Sequence, residues 1–154
     1  MARFVILSID SFDYIENKTG NMLIRYRENE VVAVIDPSKE GLSSQDVIGI
    51  GGEIPVVSSF NESKKYNPDT LVIGNAPQGG EINKKVKSEL IDALNNGLDV
   101  ISGMHDFLSN DKELLDIANK NNSKIIDLRK PPLKPHFPNG SWKNREVPVL
   151  LVVG

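Results

Sequence analysis

Cysteine is absent from the 154 residues. That excludes a disulfide framework, a thiolate metal site and a cysteine nucleophile. Histidine occurs only twice, and no cluster of metal-ligand spacing is legible, so no metal is expected in this domain. An excess of positive charge is missing too, with 18 Lys+Arg against 21 Asp+Glu and a net charge of −3. Proteins that grip nucleic acid through counterion release carry a basic face, so nucleic acid is not an expected partner. No apolar run approaches the ~20 residues of a membrane span, and no membrane is expected either. The apolar core of Met1–Leu7 is too short for a signal peptide and leads into polar sequence; it reads as a strand of a cytoplasmic protein.

What is present is 39% hydrophobic and 25% charged, the balance of a globular domain. Short, β-branched apolar runs recur at Phe4–Ile9, Val31–Ile35, Ile54–Val57, Leu71–Ile73, Val100–Ile101 and Lys124–Leu128. Each is nearly continuous rather than alternating, the pattern of strands buried on both faces of a parallel sheet. The segments between them suit crossover helices. The clearest is Ile82–Asn96, with Ile82, Val86, Leu90 and Leu94 inward, Lys84, Lys85, Lys87, Glu89 and Asp92 outward, and Gly97 at the left-handed stop. A second spans Asp111–Lys120, with Ser109 or Asn110 as cap. A third, Asn17–Arg27, takes its apolar side from Met22, Leu23 and Tyr26 and is weakened by Gly20. Weaker helices are read at Ser44–Val47 and Phe60–Lys65. The order predicts an α/β fold, Rossmann-like and doubly wound, with a mainly parallel sheet and helices on both faces, over residues 1–130.

Five of the nine prolines lie between Pro131 and Pro148, which makes 131–146 an extended proline-rich linker. Residues 147–154 are an apolar strand ending in glycine, as a phosphate-binding loop begins. The expectation is a sequence cut at the threshold of a second domain, with a native closing strand as the alternative. An apolar strand with unpaired edges is a template for association, so a homo-oligomer formed through 148–153 is expected.

Chemistry-bearing residues fall just after the strands, where open α/β sheets bind ligands. The dinucleotide fingerprint G-x-G-x-x-G is absent, which disfavours an NAD-linked oxidoreductase. Asp10 and the pair Lys18 and Thr19 follow the first strand. The pair is similar to the end of a Walker A loop without its glycines; it either holds a phosphate at a helix start or caps the helix. Asp36, after the second strand, either accepts ribose hydroxyls or starts a turn before Pro37. Ala76, Gly79 and Gly80, in the loop after the fourth strand, either let a ligand approach the backbone or serve loop geometry. His105 follows the fifth strand as a candidate general base, with a structural loop histidine as the alternative. Arg129 and Lys130 follow the sixth, reaching a phosphate or carboxylate, or forming an interdomain or turn salt bridge. Gly49-Ile50-Gly51-Gly52 reads as a turn before the third strand.

Val34-Ile35-Asp36, the run Leu71–Gly80, the run Gly97–Leu108 and Asp127–Pro132 resemble a prokaryotic family long catalogued as a domain of unknown function. Its members join an N-terminal Rossmann-like domain to a P-loop NTPase-like domain, and one branch comprises DgcN-type D-glutamate (D-amino-acid) N-acetyltransferases. The resemblance covers nearly the whole chain; Gly20-Asn21 departs from the small residue and glycine expected in that order. It implies acetyl transfer from acetyl-CoA, a nucleotide such as ATP as a further ligand, a small-molecule substrate, and the C-terminal domain as partner. It also implies that the part read here is inactive alone. Leu71–Ile101 is more distantly similar to the CoA-binding domain of succinyl-CoA synthetases. The rival reading is a non-catalytic ligand-sensing or dimerisation module.

Overall fold

The computed structural model describes residues 2–75, 82–131 and 133. Ala76, Gly79, Gly80, nearly all of the proline-rich segment and the strand expected at 147–154 lie outside the described residues.

Six strands form one all-parallel sheet: β1 (Phe4–Leu7), β2 (Val31–Ile35), β3 (Val56–Val57), β4 (Thr70–Ile73), β5 (Asp99–Ser102) and β6 (Ile125–Asp127). Their order across the sheet is β3-β2-β1-β4-β5-β6, the doubly wound arrangement that the alternation of elements predicts. The third strand keeps only two of its four expected residues. Pro55 pairs instead with Ser43 in an antiparallel bridge, and a proline has no amide to extend the ladder.

Among the described residues five α-helices cover the sheet: α1 (Lys18–Arg27), α2 (Ser44–Ile48), α3 (Phe60–Ser63), α4 (Lys84–Asn95) and α5 (Lys112–Lys120). Successive side chains of β1 go to opposite faces. Val5 and Leu7 join Phe60 of α3, Leu90 and Leu94 of α4, and Leu114 of α5 in the larger core. Ile6 joins Ile24 of α1 and Ile48 of α2 in the smaller one. Reversal of the winding direction therefore falls between β1 and β4.

Helix ends follow local chemistry. Asp111, rather than Ser109 or Asn110, caps α5, with its carboxylate accepting from the amides of Glu113 and Leu114. Ser43 and Asp46 form a reciprocal capping box on α2. Gly97 takes the expected left-handed conformation beyond α4, at φ 79°. Glu89 departs from its expected outward place: it is half-buried, and its carboxylate accepts from the amide of Phe60 at 2.5 Å, tying α4 to the start of α3. Burial pushes its carboxyl up, against that hydrogen bond.

Of the apolar side expected for α1, Leu23 packs against the smaller core, but Met22 and Tyr26 do not. The buried residues of the helix are Gly20, Asn21 and Ile24, while Met22 and Tyr26 are 45% and 74% exposed. Gly20, expected to weaken the helix, is what lets it dock. Its amide donates to the carbonyl of Gly74 at 3.1 Å, and a Cβ there would come within 2.5–2.8 Å of Asn17 and Ile6. A Cβ on Gly74 would collide with Asn17 Oδ1, Ser8 Oγ and Ile6.

Gly74→Ala is therefore expected to destabilise the domain by about 3 kcal/mol or more, since backbone and buried polar atoms must move. Urea unfolding measures it; a loss under about 1 kcal/mol would mean that α1 slides freely over the sheet.

Candidate functional site

All strands run the same way, so the residues after them share one rim of the sheet. Asp36 follows β2 and His105 follows β5. Three inter-strand spacings, about 14 Å, separate those strands. The rim thus has two regions, one on each side of the reversal between β1 and β4.

On the β1–β2 side, polar groups are turned inward. Asp36 is fully buried. One carboxylate oxygen accepts from the amide of Asp10 (3.2 Å) and from the amide and hydroxyl of Ser38 (3.0 and 2.7 Å). The other accepts from the amide of Phe12 (2.9 Å) and lies 3.6 Å from Lys39 Nζ. Burial pushes this carboxyl up, but the Ser38 hydroxyl, the Phe12 and Ser38 amides and the Lys39 charge together hold it below the ordinary aspartate value. The carboxylate that sequence offered to a ribose is occupied by its own protein. It pins the loop between β1 and α1, which holds Asp10 at φ 55° without a glycine.

The start of α1 is similarly occupied. Ser8 Oγ donates to Asn17 Oδ1 (2.5 Å), Asn17 Nδ2 donates to Asn21 Oδ1 (2.9 Å), and Asn21 Nδ2 donates to the carbonyl of Asp13 (2.8 Å). The amides of Lys18, Gly20 and Asn21 donate to the carbonyls of Glu16, Gly74 and Asn17. Few amides are left for a phosphate at this helix end. Lys18 and Thr19, adjacent in sequence, part ways. Thr19 Oγ1 would lie 3.9 Å from a Cβ on Gly103, in the loop after β5. Lys18 lines a cavity on the outer side of α1.

On the β4–β6 side, polar groups are presented outward. The loop after β5 is anchored at both ends: the amide of Met104 donates to Ser102 Oγ, and the amides of Leu108 and Ser109 donate to the Asp127 carboxylate at 2.9 and 3.0 Å. Met104 and Leu108 are buried, and between them His105 and Asp106 stand exposed. Arg129 and Lys130 follow β6, the neighbouring strand, and both are exposed. Lys130 Nζ donates to Ser109 Oγ, joining the two loops. At the reversal point, Lys85 of α4 pairs with Asp10 at 3.4 Å. Sequence reasoning missed Ser8, Asn17 and Asp127. Their hydrogen-bonding side chains at strand and helix ends were the available signal. Among the described residues no cluster of three His, Asp or Glu side chains has a metal-binding arrangement. No described helix is long and apolar enough to cross a membrane.

A model of a Rossmann-like domain of unknown function, DUF1611_N, matches residues 37–131. A crystal structure of a DUF1611 family protein from Anabaena variabilis superposes with a TM-score of 0.83 at 34% identity, covering 93% of this chain and 41% of that one. Two curated proteins named D-glutamate N-acetyltransferase, from a Pseudoalteromonas species and from Tritonibacter scottomollicae, are 35% and 33% identical over 96 residues. That stretch is 62% of this chain and 28% of either relative, so this chain matches less than a third of their length. An amine dehydrogenase from Mycobacterium smegmatis shares the fold at 18% identity, with a TM-score of 0.56.

Asp36→Asn places an amide donor against groups that already donate, and is expected to cost about 2–4 kcal/mol. The native carboxyl is held below its unfolded value, so the ionised form is the one folding favours. Its contribution is full at neutral pH and is lost as pH falls below about 4, where the unfolded chain takes up the proton first. Urea unfolding between pH 7 and pH 3 should therefore show a shallower acid loss in the variant. Equal slopes would show that Asp36 is not the carboxylate the fold leans on.

Proposed function

This chain belongs to the DUF1611_N family of Rossmann-like domains, and we propose that it is the N-terminal domain of a two-domain enzyme that moves an acetyl group from acetyl-CoA to the amino group of a D-amino acid. The observation that carries the reading is the 35% identity, over 96 residues, to a protein named D-glutamate N-acetyltransferase. The matched family region contains the loops after β5 and β6, where this rim turns its polar groups outward.

In that reaction the amine nitrogen forms a C–N bond to the acetyl carbon as the C–S bond breaks, and the thiolate leaves. His105, held in reach of solvent between two buried anchors, takes the proton that the amine sheds. Arg129 and Lys130, on the adjoining loop, hold the substrate carboxylate or a CoA phosphate by charge-assisted hydrogen bonds. Thr19 adds a hydroxyl from α1 beside Gly103. Ala76, Gly79 and Gly80, outside the described residues, are offered on their small size for contact with the ligand. Asp36 serves as a positioning residue that fixes the loop over β1. A nucleoside triphosphate, if the enzyme uses one, belongs to the P-loop NTPase-like domain. The amides of the β1–α1 loop are spent on Asp36, which speaks against nucleotide chemistry there and keeps a second reading, a non-catalytic ligand-sensing or dimerisation module.

The test is N-acetylation of D-glutamate from acetyl-CoA by the full-length gene product, followed by mass spectrometry with L-glutamate as comparison. His105→Ala is expected to lower kcat by about 10²–10⁴-fold, the worth of a general base. Full activity in that variant removes His105 from the mechanism, and no acetylation by the unaltered protein leaves the sensing module.

A further inference from the structure

The outer face of α1 borders a cavity of about 380 Å³. That is within the range of small-molecule pockets, about 300–1,000 Å³. It lies between the outer side of α1 and the exit of α2, and none of its walls belongs to the loops that carry His105 and Arg129. Its walls are Tyr14, Met22, Ile48 and Ile50, with Lys18 and Arg25. Lys18, Met22 and Arg25 stand at i, i+4 and i+7, one stripe of the helix, which sets the two cations about 10 Å apart along its axis.

Charge is what narrows the occupant. No wall residue is acidic, and neither Lys18 nor Arg25 forms an ion pair with a described residue. The protein as a whole is net negative, so this is a local inversion. Arg25 sits near the helix C-terminus, where a cation is favoured. Lys18 is the first helical residue, at the positive end of the dipole, and the first turn holds no acidic residue to offset it. The remaining polar wall residue, Asn21, is spent: its amide group and its carbonyl oxygen are all engaged in the network under α1. The cavity therefore offers an apolar floor and positive ends, with its polar side chain already satisfied.

We propose that this groove is a ligand site separate from the strand rim, and that it takes a small amphiphilic anion, with a carboxylate or similar head on an apolar body. The apolar body lies over Met22, Ile48 and Ile50 beside the Tyr14 ring. The head is met by Lys18 at the positive end of the helix or by Arg25 a little over 10 Å away. Neither contact depends on the acetyl-transfer reading.

Amide-resolved NMR titration of the 154-residue chain with octanoate tests this, with octanol as the neutral counterpart. Shifts are expected to centre on Tyr14, Met22, Arg25 and Ile48 and to saturate. Octanol should bind more weakly. Arg25→Glu should weaken octanoate by about tenfold, twice the effect of a partly exposed ion pair, and leave octanol unchanged. Met22→Trp, which fills the groove, should weaken both. His105→Ala should change nothing here, whatever it does to acetyl transfer. Three results overturn the proposal: octanoate and octanol binding equally, shifts centred elsewhere, or the same amides shifting with protein concentration alone. The last would make this face a contact between copies of the chain.

Discussion

The carboxylate of Asp36 is the interaction on which the rim of this domain depends. It ends β2 with no access to water and gathers donors from two directions, the β1–α1 loop and the turn at Ser38. A buried charge is tolerated only when its lone pairs are met, and hydrogen bonds to an ionised group contribute about 1.5–3 kcal/mol each. The loop from Ser8 to Asn17 has no glycine to ease its turn. It keeps Asp10 at positive φ because the Asp10 and Phe12 amides are drawn to a fixed anion. In a dinucleotide-binding domain, amides of this loop and of the helix that follows approach a pyrophosphate. Here the protein supplies its own anion, and the loop is closed on it.

A second close contact completes that closure. Gly20 and Gly74 bring α1 against the end of β4 so tightly that helix amide and strand carbonyl join directly. Asn17 and Asn21 relay hydrogen bonds beneath the helix in place of apolar packing. A half-satisfied polar network would be worse than an apolar core; here Ser8 Oγ, Asn17 Nδ2 and Asn21 Nδ2 each have an acceptor. The consequence for function is geometric. With Ser8, Asn17 and Asp36 turned inward in the β1–β2 half of the rim, the loops after β5 and β6 present the exposed His105, Arg129 and Lys130. There, Asp127 and Ser102 hold the His105 loop at its ends and leave its middle in solvent.

The sheet was legible in the sequence because burial on both faces writes itself as continuous Val, Ile and Leu runs, and the glycine after α4 punctuates the pattern. What was not legible has one cause. Asn17, Asn21 and Gly20 look like poor helix interior, yet they form the face that packs, because tertiary contact outweighs propensity. The apolar residues Met22 and Tyr26 were then assigned inward by periodicity alone, on the wrong side of the helix. Glu89 failed similarly: a carboxylate in a polar stripe found an orphan amide at the start of α3. His105 and Arg129 could be placed on one rim from topology, since every strand is parallel. The distance between Asp36 and His105 could not, because strand order is not written in any single segment.

The same inner face accounts for the unusual outer surface of α1. A helix that spends small and polar residues on its inner face has fewer polar positions left for solvent. Met22, Tyr26 and the preceding Tyr14 are exposed as a result, beside two cations without described partners. Apolar exposure of this kind has a cost in water, and scattered single residues would need no account. Here Tyr14 and Met22 line one cavity with the apolar end of α2, and the charges at its borders share one sign. The demand for close packing at the Gly20–Gly74 junction thus shapes both sides of the helix. It fills the inner side with the protein's own polar groups and leaves the outer side open to the amphiphilic anion proposed above.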